Sequence, residues 1–193
     1  MNINQQINKW INESILVKQK ILHDPNIISQ IEELADNCYK SIKLGGKIIF
    51  AGNGGSFADA QHLSAEFTSR FLFDRAPLPS IALATNNSAI SAIANDYGYD
   101  YVFARELYSM ATSKDIFIPI STSGNSANII EAVRVAKDNH IPTVALGGGT
   151  GGKVKDMCEC ILIPSSDTAR IQESHIMLGH IICGLVESRY FGK

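Results

Sequence analysis

Five short apolar runs, each followed by a stretch with helical spacing, constrain this chain more than any other feature. They are Ile48-Ile49-Phe50-Ala51, Ser80-Ile81-Ala82-Leu83-Ala84, Asp115-Ile116-Phe117-Ile118-Pro119-Ile120, Pro142-Thr143-Val144-Ala145-Leu146 and Cys160-Ile161-Leu162-Ile163. Runs of this length without polar alternation read as strands covered on both faces, and intervening helices make such strands parallel. The expected fold class is α/β, a three-layer α/β/α, doubly wound five-stranded parallel sheet. Helices are expected over 56–70, 88–95, 100–112, 126–138 and 168–189, with a short one about Val154. Two more precede the sheet. The first, over 1–22, aligns Ile3, Ile7, Ile11, Ile15 and Leu22 beside Trp10. The second runs from about Asn26 to Leu44 and is ended by Gly45-Gly46. With 193 residues the chain is expected to form a single domain, 1–45 giving the extra helices and 46–193 the sheet and its flanking helices. The first helix is expected to pack on another subunit; the bland alternative is that it caps the domain's own core.

Ligands of parallel sheets gather at the carboxyl ends of the strands. Two loops rich in Gly and Ser lie there. Ser121-Thr122-Ser123-Gly124-Asn125-Ser126 joins a strand to a helix, and its four hydroxyls, backbone N–H groups and helix N-terminus suit an anion. Its plain alternative is a turn in which Ser126 caps the helix. Gly52-Asn53-Gly54-Gly55-Ser56 allows close backbone approach to a ligand. It has neither the spacing of a dinucleotide fingerprint nor the lysine of a P-loop, so a sugar phosphate suits it better. Gly147–Gly152 reads as a mobile loop.

Two further stretches carry chemistry. His62 and Glu66 are four apart and share a helix face, as metal ligands, as an acid–base pair, or as an ordinary surface pair. The last helix is apolar nearly all round, yet Gln172, His175 and His180 interrupt it. Buried polar groups need partners, and a core histidine bonded to a carbonyl is the ordinary case. Gln172 and His180 are two turns apart on broadly one side. If His62 and Glu66 lie opposite, the four could surround zinc, with glutamine an uncommon fourth ligand.

Bulk properties exclude other classes. Hydrophobic content of 45% and charged content of 19% describe a soluble globule. A net charge of −2 disfavours nucleic-acid or anionic-membrane partners. No signal peptide or spanning segment is visible, so a cytoplasmic location is expected. Cys38, Cys158, Cys160 and Cys183 lack zinc-knuckle spacing and read as buried free thiols.

Taken together, Gly52-Asn53-Gly54-Gly55-Ser56, His62 with Glu66, Asn95-Asp96, the 121–126 loop, and Arg170-Ile171-Gln172-Glu173 with His180 resemble bacterial phosphoheptose isomerases of the sugar-isomerase-domain (SIS) superfamily. The likeness covers almost the whole chain and is weakest at Thr85-Asn86-Asn87 and Gly147–Gly152. It implies a homotetramer with sites at subunit interfaces, converting sedoheptulose 7-phosphate to D-glycero-D-manno-heptose 7-phosphate for lipopolysaccharide core or capsule. It implies that Asn53, Gly54, Gly55, Glu66, Asn95, Asp96 and Gln172 contact substrate, and that Ser121, Thr122, Ser123 and Ser126 cradle the phosphate. His62, Glu66, Gln172 and His180 would hold one zinc ion per subunit, with Glu66 and His180 also the catalytic acid–base pair. The alternatives are a non-catalytic relative, either a sugar-phosphate sensor or a tetramer binding the replication initiator, and an isomerase of another ketose phosphate. A pure binder needs neither Glu66 nor His180.

Overall fold

The computed structural model describes residues 2–192. Two helices, α1 (Ile3–Leu22) and α2 (Pro25–Lys43), lead into β1 (Ile48–Gly52), α3 (Gly55–Thr68), β2 (Ser80–Ala82), α4 (Asn87–Asp96) and α5 (Val102–Met110). Then follow β3 (Ile116–Ser121), α6 (Ala127–Asp138), β4 (Val144–Gly148), β5 (Glu159–Ile163) and α7 (Thr168–Phe191). Single 3-10 turns lie at Tyr99–Tyr101 and Val154–Asp156. The five strands form one sheet in the order β2-β1-β3-β4-β5, every pairing parallel.

Local chemistry sets the helix starts. Asn2 and Gln5 form a reciprocal capping box on α1. Asp24 accepts from the N–H groups of Asn26 and Ile27 with Pro25 in the first turn of α2, and Asp167 caps α7 from the N–H groups of Ala169 and Arg170.

Each central strand feeds two cores, because successive side chains point to opposite faces. Ile48, Phe50, Ile116, Ile118, Ile120, Val144 and Leu146 meet α2, α3 and α7, with Val17 and Ile21 of α1 at the margin. Ile49, Ala51, Phe117 and Ala145 meet α5 and α6 on the other side. Of α1 little else is covered: Ile3, Ile7, Trp10, Ile11, Ile15, Leu16 and Leu22 are exposed.

Several boundaries differ from the sequence reading. Strand β2 stops at Ala82, because the chain turns at Ala84, which has a φ of 61° and donates its N–H to Glu106. Gly147 and Gly148 are not loop but the end of β4. Gly151 and Gly152 of the expected mobile loop pack backbone to backbone on the serine loop, while Gly149 and Thr150 are exposed: a Cβ on Gly124 would lie 1.9 Å from the Gly151 carbonyl oxygen. No room for a side-chain carbon is left between the two, and glycine on both sides permits the contact. Cys38 and Cys183 are buried as expected, whereas Cys158 and Cys160, beside and on the edge strand β5, are half-buried.

Candidate active site

The strand order reverses between β1 and β3, and a crevice opens beyond their carboxyl ends, as doubly wound sheets require. Asn53 and Ser56 from the first loop, Ser121, Thr122 and Ser126 from the second, and Gln172 from α7 line a cleft of about 80 Å³. Thr122 and Ser123 also border a neighbouring recess of about 280 Å³ with Gly149, Thr150, Ser165 and Ser166.

The serine loop is held in shape by its own groups. Ser121 Oγ accepts from the Gly124 N–H at 3.1 Å, and Ser123 Oγ from the Asn125 N–H at 3.1 Å. Ser126 occupies the N-cap position of α6, yet its hydroxyl makes no capping bond. A cap that leaves the helix N–H groups unserved keeps both hydroxyl and positive helix end available to an anion.

In the first loop, Gly54 has a φ of 56°, which side-chain-bearing residues rarely adopt. A Cβ on Gly55 would lie 2.7 Å from Gln172 Nε2, so Gly55 makes room for that amide. Asn53 is locked by reciprocal amide bonds to Asn128 at 2.8 and 2.9 Å, with Tyr99 Oη donating to Asn53 Oδ1 at 3.4 Å. Asn95 and Asp96 end α4 at the surface, where Asn95 Nδ2 donates to Asp96 Oδ1 at 2.8 Å. Neither lines the cleft.

Helices α3 and α7 run side by side, and Gly179 admits Leu63 so closely that a Cβ there would meet Leu63 Cδ2 at 2.4 Å. This contact brings His62 Nε2 to 2.8 Å from His180 Nε2, and Glu66, one turn beyond His62 on α3, places its Oε1 3.3 Å from the same nitrogen. One potential ligand atom from each of His62, Glu66 and His180 lies within 4.8 Å of the others. Two imidazole nitrogens and a carboxylate oxygen converging so tightly are the donor set that zinc takes. The residues present therefore fit the ion. Gln172, two turns before His180 on α7, reaches the cleft and lies against Gly55 at the start of α3.

The third interrupting residue of α7 behaves as the ordinary core histidine. His175 is fully buried and bonds the Gly147 carbonyl through Nε2 at 2.9 Å. Burial drives its pKa down to about 4, against the upward pull of that hydrogen bond.

The family comparisons settle the lineage. A family model described as the SIS domain matches residues 10–148. The chain is 49% identical to phosphoheptose isomerase 2 of Campylobacter jejuni, over all of this chain and 96% of that one. It is 51% identical to the phosphoheptose isomerase of Aneurinibacillus thermoaerophilus, over 98% of this chain and 96% of that one. The chain belongs to the phosphoheptose isomerase family of SIS-domain proteins. The solved phosphoheptose isomerase of Francisella tularensis superposes with a TM-score of 0.92 at 33% identity, covering 97% of this chain and all of that one.

Within this phosphoheptose isomerase fold, sequence reading missed several supporting residues. Asn128 looks like one more polar residue on α6, and only the fold sets it against Asn53. Asp59 precedes His62 by three positions, hence lies on the same helix face, and its Oδ2 is buried without a hydrogen-bond partner among the described residues. Burial raises the Asp59 pKa, and the nearby His62 opposes that rise. Its helical spacing was a usable signal. Phe71, Arg75 and Glu187 gave none, since their meeting depends on tertiary structure.

Proposed function

We propose that this chain converts sedoheptulose 7-phosphate to D-glycero-D-manno-heptose 7-phosphate by proton transfer through an enediol. The observation that carries the reading is the convergence of His62, Glu66 and His180 beside a hydroxyl-lined anion cleft. Ketose-to-aldose conversion moves a proton between C1 and C2. Glu66 is the base beside the carbonyl, and His180 manages the proton at the neighbouring position. The phosphate, gripped by Ser121, Thr122, Ser123 and Ser126, lies remote from the reacting carbons. Its grip supplies orientation, which is worth several kcal/mol of barrier. Asn53, Gly54, Gly55 and Gln172 complete the substrate contacts in this reading; Asn95 and Asp96, which do not line the cleft of this chain, meet substrate only if the site is shared with a neighbouring subunit.

His62, Glu66, Gln172 and His180 hold one zinc ion per subunit in the same reading. When bound, zinc stabilises negative charge developing on a substrate oxygen. The working form is a homotetramer with sites at subunit interfaces. The uncovered apolar stripe of α1 and the exposure of the His62 side chain, 49%, favour a neighbour there. The product feeds heptose synthesis for lipopolysaccharide core or capsule in the cytoplasm. Among the described residues no helix is long and apolar enough to cross a membrane, and the net charge of −2 gives nucleic acid no general attraction.

A non-catalytic sugar-phosphate binder is disfavoured, because binding alone has no use for a clustered carboxylate and imidazole pair. Incubation of the purified protein with sedoheptulose 7-phosphate, with and without a chelator, separates these readings. An aldose heptose 7-phosphate formed only in the unchelated sample supports the isomerase and its metal. Saturable binding without product would favour the binder.

A further inference from the structure

Beyond the cluster lies a buried ion pair that the reaction does not use. Glu187, fully buried on α7, follows His180 by seven residues, two turns along the same helix. Its two carboxylate oxygens accept from the Phe71 N–H at 3.0 Å, the Leu72 N–H at 2.7 Å and Arg75 Nε at 2.7 Å. The Arg75 side chain is 2% exposed. Its remaining donors serve the end of α3: Nη2 bonds the Glu66 carbonyl at 2.8 Å, and Nη1 bonds those of Phe67 and Ser69 at 2.8 and 3.0 Å.

Desolvation by burial pushes the Glu187 carboxyl up, but these hydrogen bonds and the guanidinium outweigh it, so its pKa falls below the usual carboxylate range. A buried ion pair is weak support for stability, since apolar residues of similar volume often do as well. What this one fixes is geometry. It pins the backbone at Phe71, whose ring stacks on the His180 imidazole with centroids 5.5 Å apart and planes 19° from parallel. Gly184, one turn beyond His180, borders the ring: a Cβ there would make an ordinary contact with Phe71 Cε1 at 3.5 Å.

We infer that Phe71, clamped by Glu187 and Arg75, is a positioning residue that sets the plane of the His180 ring. The inference rests on the reading of His180 as a site residue. One ion pair thus holds the helix bearing Glu66 and the ring lying against His180 in a fixed relation. Without the aromatic plate the imidazole can rotate about its side-chain bonds. Its nitrogen then leaves the orientation shared with His62 and Glu66, and small misplacements of this kind are costly in rate.

The test compares Phe71→Leu with Phe71→Tyr in the full chain. Phe71→Leu should lower kcat roughly ten-fold or more with KM within about two-fold, and Phe71→Tyr should restore kcat. In the metal-free protein, the His180 ring-proton resonances should move in Phe71→Leu, through loss of the stacked ring current, and return in Phe71→Tyr. The Co²⁺ dissociation constant should weaken in Phe71→Leu alone. Glu187→Gln should shift the same resonances, and if it does not fold, the Phe71 pair carries the test. Unchanged kcat and an unchanged Co²⁺ dissociation constant in Phe71→Leu overturn the inference, even where loss of the ring current moves the His180 resonances. Full turnover by His180→Ala would instead overturn the site reading, a result distinct from failure of the clamp.

Discussion

His62 Nε2 lies 2.8 Å from His180 Nε2, although 118 residues separate them in the chain. Nitrogens that close need a proton on one of them, its N–H donating to the other, and Glu66 Oε1 is 3.3 Å from the same His62 atom. The packing of Leu63 against Gly179 makes the approach. Much of the chemistry therefore depends on two helices lying unusually close.

Close packing at two other glycines separates two substitutions. Gly55→Ala would meet only the movable end of Gln172, at 2.7 Å, so the fold should survive while the amide is displaced. Activity should fall with little change in melting temperature. Gly124→Ala has no such escape, because its Cβ would meet the Gly151 backbone at 1.9 Å and its φ is +62°. A loss of at least about 1–3 kcal/mol is expected, read as a lower melting temperature. Equal melting temperatures for the two variants would contradict the packing described.

Ser123→Ala should raise KM several-fold, consistent with the loss of about 1 kcal/mol for one hydrogen bond, while kcat changes little. Ser123 is exposed on the serine loop, and its hydroxyl serves only the local Asn125 N–H in the fold. An unchanged KM would argue against the phosphate cradle.

Much of this was legible in the sequence. Continuous apolar runs separated by helical periods led to the five parallel strands, and the two loops at their carboxyl ends were identifiable by composition. The cleft brings together Asn53, Ser121, Thr122, Ser126 and Gln172, five residues that the sequence reading singles out. Long-range partners were illegible for a physical reason: nothing local in Glu187 signals that Arg75 will neutralise it, and a buried carboxylate looks like any surface one. The 147–152 glycines misled because glycine marks both flexibility and close packing. Here packing prevails, with Gly151 and Gly152 against the serine loop.

His175 gives stability a pH dependence. Its folded pKa of about 4 lies below the ordinary 6.5, so between these values the unfolded chain binds more protons than the folded one. Stability is complete above pH 6.5 and falls as the pH drops toward 4, by at most about 3 kcal/mol from this group. Thermal melts of the wild type and His175→Gln across pH 4–7 should differ in slope, the variant being flatter. Parallel slopes would show that the imidazole is not the source.

The exposed stripe on α1 predicts assembly. A chain beginning at Asn26 loses Ile3, Ile7, Trp10, Ile11 and Ile15, all exposed in the isolated chain. Light scattering should report a smaller oligomer than the full chain forms. The same oligomer in both would return α1 to the role of a cap on its own core.

Turnover of sedoheptulose 7-phosphate by Glu66→Gln, measured beside the wild type with assembly checked by light scattering, tests the account most directly. Glu66 is at once the base and a member of the ligand cluster, and its carbonyl is already held by Arg75. The account predicts a fall of roughly 10²–10⁴-fold in kcat with the assembly intact. Wild-type turnover in Glu66→Gln would contradict it.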